Sequence, residues 1–164
     1  MRRRLQAIED RLQILNLLAG ALISADTGDA DYQRKMYSPE ALMDRDGDVL
    51  QGGSTLASIM LSTDHQAAIT DGMAHIGGPW HICLRDSEAT AVGYVQILVS
   101  ERSAMPVGLG NYAVQAGLRS WRLTANRWEL AKNDGAWQIV SRIIRAAPST
   151  EARALLCLGG KLAV

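Results

Sequence analysis

The sequence lacks several features that would assign it to a specialised class of protein. It has only two cysteines in 164 residues, Cys83 and Cys157, and they form neither a metal-ligand motif nor a disulfide framework. Lys and Arg together balance Asp and Glu at 17 each, so the chain has no overall charge to attract nucleic acid or an anionic membrane. We therefore expect no nucleic-acid or membrane partner and a reducing, cytoplasmic location.

Long hydrophobic runs are also missing. The most apolar helical stretch, residues 14–25, contains Asn16 and is shorter than the roughly 20 residues that a membrane-spanning helix needs. Glu9 and Asp10 interrupt any signal-peptide core near the start of the chain. The composition, with 48% hydrophobic and 21% charged residues, is typical of a globular protein, and the length predicts a single domain over residues 1–164.

Three helices are predicted in the first half of the chain. Over residues 5–25, apolar side chains recur at three- and four-residue steps and polar ones occupy the opposite face. The apolar set is Leu5, Ile8, Leu12, Leu15, Ala19 and Leu22. Gly28 is suited to the left-handed position that ends this helix. A second helix is predicted to stop before Ser38-Pro39, and a third to begin at Ser54.

Strands are predicted around residues 42–45 and 49–51 and over most of the second half of the chain. The long strands cover residues 73–85, 89–101, 118–132 and 136–145. Helices followed by a long antiparallel sheet predict an α+β fold, with the helices on one face of a curved sheet. The last segment, residues 148–164, is expected to form a lid or an interface.

His75 is the strongest candidate for a catalytic residue. A histidine in a pocket can take a proton from carbon or oxygen, but it needs a carboxylate to fix its tautomer and to stabilise the imidazolium. Asp26 is the best candidate for that carboxylate, because it lies where the first helix ends. The alternative is that His75 has a structural role only and that Asp26 merely precedes a turn.

The strand over residues 118–132 supplies candidate ligand contacts. Thr124, Asn126 and Trp128 share one face of it by period-two alternation, which would place a hydroxyl and an amide beside an apolar ring. The alternative is a solvated face with the tryptophan in the core. We expect neither a metal nor a cofactor. The nearest candidate for a metal site, Asp44, Asp46 and Asp48, fits a hairpin turn better than a calcium loop.

The order of elements over about residues 5–147 resembles the nuclear transport factor 2-like fold and, within it, the SnoaL-like proteins. The likeness rests on the Ile8-Glu9-Asp10-Arg11-Leu12 helix with Ala25-Asp26-Thr27-Gly28-Asp29, and on the closing hairpin through Asp134-Gly135-Ala136-Trp137. It implies a cone-shaped antiparallel sheet wrapped around a pocket, with three N-terminal helices.

A more specific likeness is to the scytalone dehydratases. It rests on His75-Ile76-Gly77-Gly78, Gly93-Tyr94 and Thr124-Ala125-Asn126. It implies that the matching histidine is the acid/base group, supported by the matching aspartate. The His/Asp pair also resembles that of the hexachlorocyclohexane dehydrochlorinases. These relatives carry out cofactor-free β-elimination, but a tyrosine of the dehydratases is replaced here by Ala25, and another falls near Arg45.

Two functions follow from these observations. The first is a cofactor-independent lyase or isomerase in which His75 and Asp26 act on a small, largely apolar, cyclic substrate. Its expected substrate contacts are Asn126, Thr124, Arg45, Trp128 and Tyr94, and Arg45 or Arg142 would stabilise negative charge if either points inward. The second is a non-catalytic module that binds ligands or scaffolds a partner, like the β subunit of a ring-hydroxylating dioxygenase. A homodimer or homotrimer fits either function.

Overall fold

A computed structural model describes residues 2–101 and 117–158, and in this part of the chain five α-helices accompany one seven-stranded sheet. The sheet is curved and open, and the predicted α+β class is confirmed. The helices are α1 (Arg2–Thr27), α2 (Ala30–Met36), α3 (Gly53–Ser58), α4 (Thr63–Thr70) and α5 (Thr150–Leu156). The strands are β1 (Tyr37–Arg45), β2 (Asp48–Gln51), β3 (Ala74–Gly77), β4 (His81–Arg85), β5 (Glu88–Glu101), β6 (Gly117–Asn133) and β7 (Ala136–Ala146).

The strand order is β2-β1-β7-β6-β5-β3, and β4 also pairs with β5. Neighbouring strands are antiparallel except β1 and β7, which run parallel. The parallel pair is a departure from the expected antiparallel sheet. It places the end of β1 beside the end of β7, with Arg45 paired to Ile144 and Met43 to Arg142. The first and last strands of the fold therefore contribute neighbouring side chains to one face of the sheet.

Two predicted elements are divided in the structure. The third helix is split into α3, a 3-10 turn (Ile59–Leu61) and α4, because Ser62 caps a new helix by accepting a hydrogen bond from the His65 amide. The strand predicted over residues 73–85 becomes β3 and β4, separated at Gly78-Pro79. Pro79 has no amide hydrogen to donate to the sheet, and Gly78 has a φ of 90°.

The turns between the sheet's hairpin strands agree with the sequence. Asp46 and Gly47 have φ values of 53° and 96°, and Asp134 and Gly135 have values of 49° and 81°. Positive φ at both central residues is the geometry that matches the right-handed twist of the flanking strands, and Asp-Gly tolerates it well. These short turns fix the register of β1 with β2 and of β6 with β7.

Helix α1 buries a different stripe from the apolar face seen in the sequence. Ile14, Leu18 and Ala21 are fully buried against the sheet, whereas Leu5, Ile8 and Leu12 are more than half exposed. Asp10 is the next buried residue of this stripe toward the N-terminus. Because Asp10 is polar, the hydrophobic pattern of the sequence did not indicate that this stripe is buried. Among the described helices, none is both long enough and apolar enough to cross a bilayer.

Helix α5 accounts for the described part of the C-terminal segment. It packs against β6 and β7, and Ala152 is buried there. None of residues 148–158 lines the pocket that contains His75. Residues 159–164 lie outside the described residues, and a role of the segment as a lid or at an interface stays a prediction.

The buried Asp10 carboxylate joins α1 to the hairpin between β6 and β7. Asp10 Oδ1 accepts hydrogen bonds from Lys132 Nζ at 2.6 Å, Trp137 Nε1 at 3.0 Å and Gln6 Nε2 at 3.3 Å. Burial on its own would raise the pKa of Asp10, but the hydrogen bonds and the Lys132 charge outweigh it, and the pKa lies below its ordinary value of 3.8.

We predict that Asp10→Asn lowers the free energy of unfolding by about 1–3 kcal/mol at pH 7, because it weakens a buried charge-assisted network. The lowered pKa means that Asp10 contributes stability above its unfolded pKa and loses it as the pH falls through the folded pKa. Urea unfolding between pH 7 and pH 3 should therefore show a smaller acid-induced loss in the variant. Glu9→Gln, on the exposed side of α1, is the control. Equal stability of Asp10→Asn and the parent at pH 7 would contradict the prediction.

Candidate active site

A pocket of about 410 Å³ lies between the helices and the sheet face that carries His75 and Val95, hereafter the inner face. Its lining is mainly apolar, with side chains from β1, β5, β7 and the α3–α4 segment. These apolar residues are Met43, Leu56, Ile59, Met60, Val95, Ile97 and Ile144. The volume falls in the range of small-molecule sites. The apolar side chains would contact the body of a ligand, and the polar side chains among them would fix its orientation.

The structure brings His75 and Asp26 together at this pocket. Asp26 stands in the last turn of α1, which ends before Gly28 at a φ of 70°. Its carboxylate accepts the backbone amide of His75 at 2.9 Å through Oδ2, and Oδ1 lies 2.5 Å from His75 Nδ1. Both side chains are partly buried, with 12% of His75 and 22% of Asp26 exposed.

This arrangement determines which nitrogen of His75 can react. A carboxylate acceptor beside Nδ1 keeps the proton on that nitrogen in the neutral ring and stabilises the imidazolium when the ring gains a second proton. Nε2 makes no hydrogen bond within the described residues, and His75 lines the pocket. Nε2 is therefore the ring nitrogen left to exchange a proton with a ligand.

His65 is a site residue that the sequence analysis did not identify. It lies in the first turn of α4, and its Nε2 donates to the carbonyl oxygen of Ala25 at 2.7 Å. This bond ties α4 to the residue that precedes Asp26. The sequence offered no signal for it, because its partner, the Ala25 carbonyl, lies 40 residues away along the chain.

Arg142 on β7 lies at the same pocket and is held by two groups beneath it. Asn126 Oδ1 accepts from Arg142 Nε at 3.1 Å and from Nη2 at 2.8 Å. The Arg142 guanidinium carbon lies 3.9 Å from the centroid of the Trp128 ring, a cation–π contact. Burial lowers the pKa of Arg142, the neighbouring Arg45 adds to this effect, and Tyr37 partly offsets it, but the group remains a cation.

Asn126 and Trp128 were predicted to touch a ligand, but neither lines the pocket. Both are fully buried, and Asn126 Nδ2 donates to Thr124 Oγ1 at 2.8 Å, so both ends of the amide are engaged. Trp128 also packs edge-on against Trp80, with 6.1 Å between ring centroids. These side chains support Arg142 instead of contacting a ligand.

Thr124 and Arg45 do line the pocket, as expected. The Thr124 hydroxyl accepts from Asn126 and donates to the Val95 carbonyl at 3.2 Å, which leaves mainly its methyl group for a ligand. Arg45 makes one weak contact in the described residues, to the sulfur of Met43 at 3.9 Å. Arg45 is thus able to interact with a ligand without breaking an ion pair.

Tyr94 is not at the site. It alternates with the inner-face residue Val95 on β5, so it lies on the opposite face of the sheet, where 49% of it is exposed. The period-two alternation of a strand separates the two positions. The prediction that Tyr94 contacts a ligand is incompatible with this placement, and we no longer assign it to the site.

Tyr37 lies beneath the pocket near Arg142. Burial raises the pKa of Tyr37, and the Arg142 charge offsets part of the rise. Its hydroxyl is buried and forms no hydrogen bond of acceptable geometry to the described residues. A buried hydroxyl without a partner is costly, so this group has a donor to offer to a neighbouring acceptor.

The described residues contain no cluster of three or more His, Cys, Asp or Glu side chains that could hold a metal ion. Two of the three aspartates considered for a calcium loop, Asp44 and Asp46, are engaged in ion pairs. Asp44 Oδ2 lies 2.5 Å from Arg145 Nη2, and Asp46 pairs with Arg122. The hydrogen bond from Arg145 is the main reason why the pKa of Asp44 is lowered.

The model of the SnoaL-like domain family matches residues 6–143, most of the chain. No curated protein sequence matches at a significant level.

Three solved structures illustrate the shared fold. An NTF2-like protein with a cystatin-like fold from Novosphingobium aromaticivorans has a TM-score of 0.83 and 26% identity over 95% of this chain and 94% of its own. A hexachlorocyclohexane dehydrochlorinase from Novosphingobium barchaimii has a TM-score of 0.68 and 16% identity over 88% and 90%. A ring-hydroxylase-like protein from N. aromaticivorans has a TM-score of 0.64 and 15% identity over 87% and 92%. The latter two likenesses concern the fold alone.

We predict that the neutral ring of His75 is protonated at Nδ1 and unprotonated at Nε2, because the Asp26 carboxylate lies 2.5 Å from Nδ1. Long-range ¹⁵N–¹H NMR correlations of the histidine rings would show this tautomer directly. Asp26→Leu should remove the preference, whereas His81, which lines a separate pocket, should be unaffected and serves as an internal control. A His75 ring protonated mainly at Nε2 would contradict the prediction.

Proposed function

The chain belongs to the SnoaL-like domain family, and we propose that this member is a cofactor-independent acid/base enzyme of lyase or isomerase type. The observation that carries the proposal is the contact of His75 Nδ1 with Asp26, which leaves Nε2 at an apolar pocket. The substrate class that fits this pocket is a small cyclic molecule with a largely apolar body. The fold likeness to a dehydrochlorinase is consistent with the proposal.

In the proposed reaction, His75 Nε2 removes a proton from a carbon of the substrate. The electron pair of the broken C–H bond either expels a leaving group from the adjacent carbon, giving an alkene, or delocalises into a neighbouring carbonyl, giving an enolate. Asp26 stabilises the imidazolium that forms. Return of the proton from Nε2 to another carbon completes an isomerisation. In an elimination the leaving group departs with the electron pair of its bond to carbon, and the imidazolium gives its proton to the leaving group or to water.

Arg45 and Arg142 are placed to stabilise negative charge in this reaction. Both line the pocket on the inner face, where the last residues of β1 pair with the second half of β7. A guanidinium in an apolar pocket interacts more strongly with a developing negative charge than it does in water. Asn126 and Trp128 act as positioning residues, because they hold the Arg142 side chain without touching the pocket.

We predict that His75→Gln and Asp26→Leu each lower turnover by about 10²–10⁴-fold, the usual contribution of a general base. Two readouts follow the proton-transfer step without knowledge of the natural substrate. One is deuterium exchange into cyclohexanone and cyclohexenone in D₂O, and the other is chloride release from hexachlorocyclohexane. His75→Gln should keep a melting temperature close to that of the parent.

His65→Gln is the matched control, because glutamine retains a donor for the Ala25 carbonyl in the same pocket. This variant should stay within about threefold of the parent, well inside the loss expected for a general base. Full activity in His75→Gln, loss of activity in His65→Gln alone, or no turnover of any probe by the parent would each contradict the proposed role of His75.

The alternative function, a module that assembles with other subunits, is favoured by a different observation. The sheet face opposite His75 carries an outer-face patch of exposed apolar side chains on β3, β5 and β6. Its members are Ile76 at 54%, Tyr94 at 49%, Leu118 at 49% and Leu123 at 43% exposure. Several exposed apolar side chains on one face of a sheet favour a protein–protein contact there. A homodimer or homotrimer formed through the sheet would cover the patch.

We predict that the purified protein is larger than its 17.8 kDa chain in multi-angle light scattering. Leu123→Lys should shift it toward the monomer, because a charged side chain is costly to bury in an interface. Leu61→Lys, at an equally apolar position on the helical side with 64% exposure, should leave the mass unchanged. A monomeric parent, or equal effects of the two variants, would rule out assembly through this patch.

A further inference from the structure

The charged side chains that line the pocket are not balanced. Arg122 is paired with Asp46, and His75 is paired with Asp26. Arg45 and Arg142 have no carboxylate partner in the described part of the chain. The one other acidic residue in the lining, Asp64, is exposed in the first turn of α4. Two guanidinium groups therefore remain uncompensated at one pocket.

The polar groups around Arg142 preserve its charge instead of neutralising it. Its acceptor is the neutral amide of Asn126, although an aspartate of the same size would form an ion pair at that position. Its ring contact is with the π-face of Trp128, which attracts a cation without carrying a negative charge. Arg45 is close enough to repel Arg142 electrostatically, and both would be relieved by an anion.

We propose that this pair of arginines is a subsite for a carboxylate, so that the substrate of the pocket is a small cyclic carboxylic acid. This inference rests on the proposed function for the location of the reacting carbon, but the subsite itself depends only on Arg45 and Arg142. A carboxylate accepts paired hydrogen bonds from a guanidinium fork, which gives both affinity and a fixed orientation. The Tyr37 hydroxyl lies near Arg142 beneath the pocket, so it belongs to the support of that side chain and not to the subsite.

A carboxylate bound there would orient the ring for proton removal. The subsite lies on the paired strands β1 and β7, whereas His75 lies on β3, and both line the same pocket of about 410 Å³. An anchored carboxylate and an apolar ring against Val95 and Ile97 would leave one edge of the ring facing the imidazole. A fixed anchor of this kind lowers the entropy cost of reaching a reactive geometry.

Binding of matched neutral and anionic probes tests the subsite without any turnover. Benzoate and benzamide have nearly the same shape and differ in charge, and isothermal titration calorimetry measures both. We expect benzoate to bind at least about tenfold more tightly than benzamide, a difference of roughly 1.4 kcal/mol. Raising the salt concentration should weaken the binding of benzoate more than that of benzamide.

Three variants locate the subsite. Asn126→Asp keeps the side-chain volume but gives Arg142 an internal anionic partner, and Arg45→Gln removes the other cation. Each should reduce the benzoate preference to about threefold or less, since the anion then meets one uncompensated cation. Arg122→Gln is the matched control, because Arg122 lines the same pocket but is already paired with Asp46, and it should retain the preference.

Four outcomes would overturn the carboxylate subsite. The first is equal affinity of the parent protein for the two probes, and the second is an unchanged benzoate preference in both Asn126→Asp and Arg45→Gln. The third is a loss of the preference in Arg122→Gln as large as in those variants, and the fourth is its loss in His75→Gln. If Asn126→Asp fails to fold, Arg142→Lys takes its place, because lysine keeps the charge but cannot form the paired hydrogen bonds. His75→Gln should retain the preference even if the enzymatic proposal fails, so the two hypotheses are separable.

Discussion

The contact between Asp26 and His75 is the interaction on which the rest of the pocket depends. One carboxylate accepts both the backbone amide and the ring Nδ1 of His75, so it fixes the position of β3 and the orientation of the imidazole at once. It also joins the end of α1 to an edge of the sheet, since β3 pairs only with β5 among the strands of residues 2–101 and 117–158. The remaining wall of the pocket is then set by α4, through the bond from His65 to the residue beside Asp26.

A second constraint is the way in which the sheet holds a partly buried arginine without an ion pair. Removing a cation from water is unfavourable unless its donors are satisfied. Arg142 meets this condition with a neutral amide acceptor and an aromatic face, and the amide is itself held by Thr124. The polar residues Asn126 and Thr124 are thus part of a fully buried network, which explains why polar groups occur on the inner face of β6. Asn126 and Thr124 therefore hold the Arg142 side chain in place.

Much of the fold could be predicted from the sequence, since short-range signals determine most of it. The hairpin turns at Asp46-Gly47 and Asp134-Gly135 agree with the structure because local sterics decide them. The parallel pairing of β1 with β7 and the buried face of α1 could not be predicted, because both depend on partners distant in sequence. Asp10 illustrates this, since its burial requires Lys132 and Trp137, more than 120 residues away.

The candidate site was predicted in part for the same reason. Residue type and the end of a helix made His75 and Asp26 candidates but left a structural role open, and the family resemblance favoured the functional interpretation. The alternation of β6 was enough to place Thr124 on the pocket side. The alternation of a strand shows which face of the sheet a side chain lies on, but not how deeply it is buried. Asn126 and Trp128 were therefore predicted to contact a ligand, although they lie beneath the surface of the pocket. Tyr94 was selected by resemblance alone, against the alternation that puts it on the other face.

The depth of Arg142 also bears on the choice between an enzyme and a scaffold. A scaffold needs an outer surface that is complementary to its partner. Scaffolding does not require arginines without a carboxylate partner at an internal pocket. Replacing a buried charged group by an apolar one of similar volume is often neutral or stabilising. Two cations without a carboxylate partner in one pocket therefore oppose the stability of the empty protein, and an anionic ligand or a developing negative charge would offset that effect. The outer-face patch can serve assembly at the same time, because it lies on the other side of the sheet and shares no side chain with the pocket.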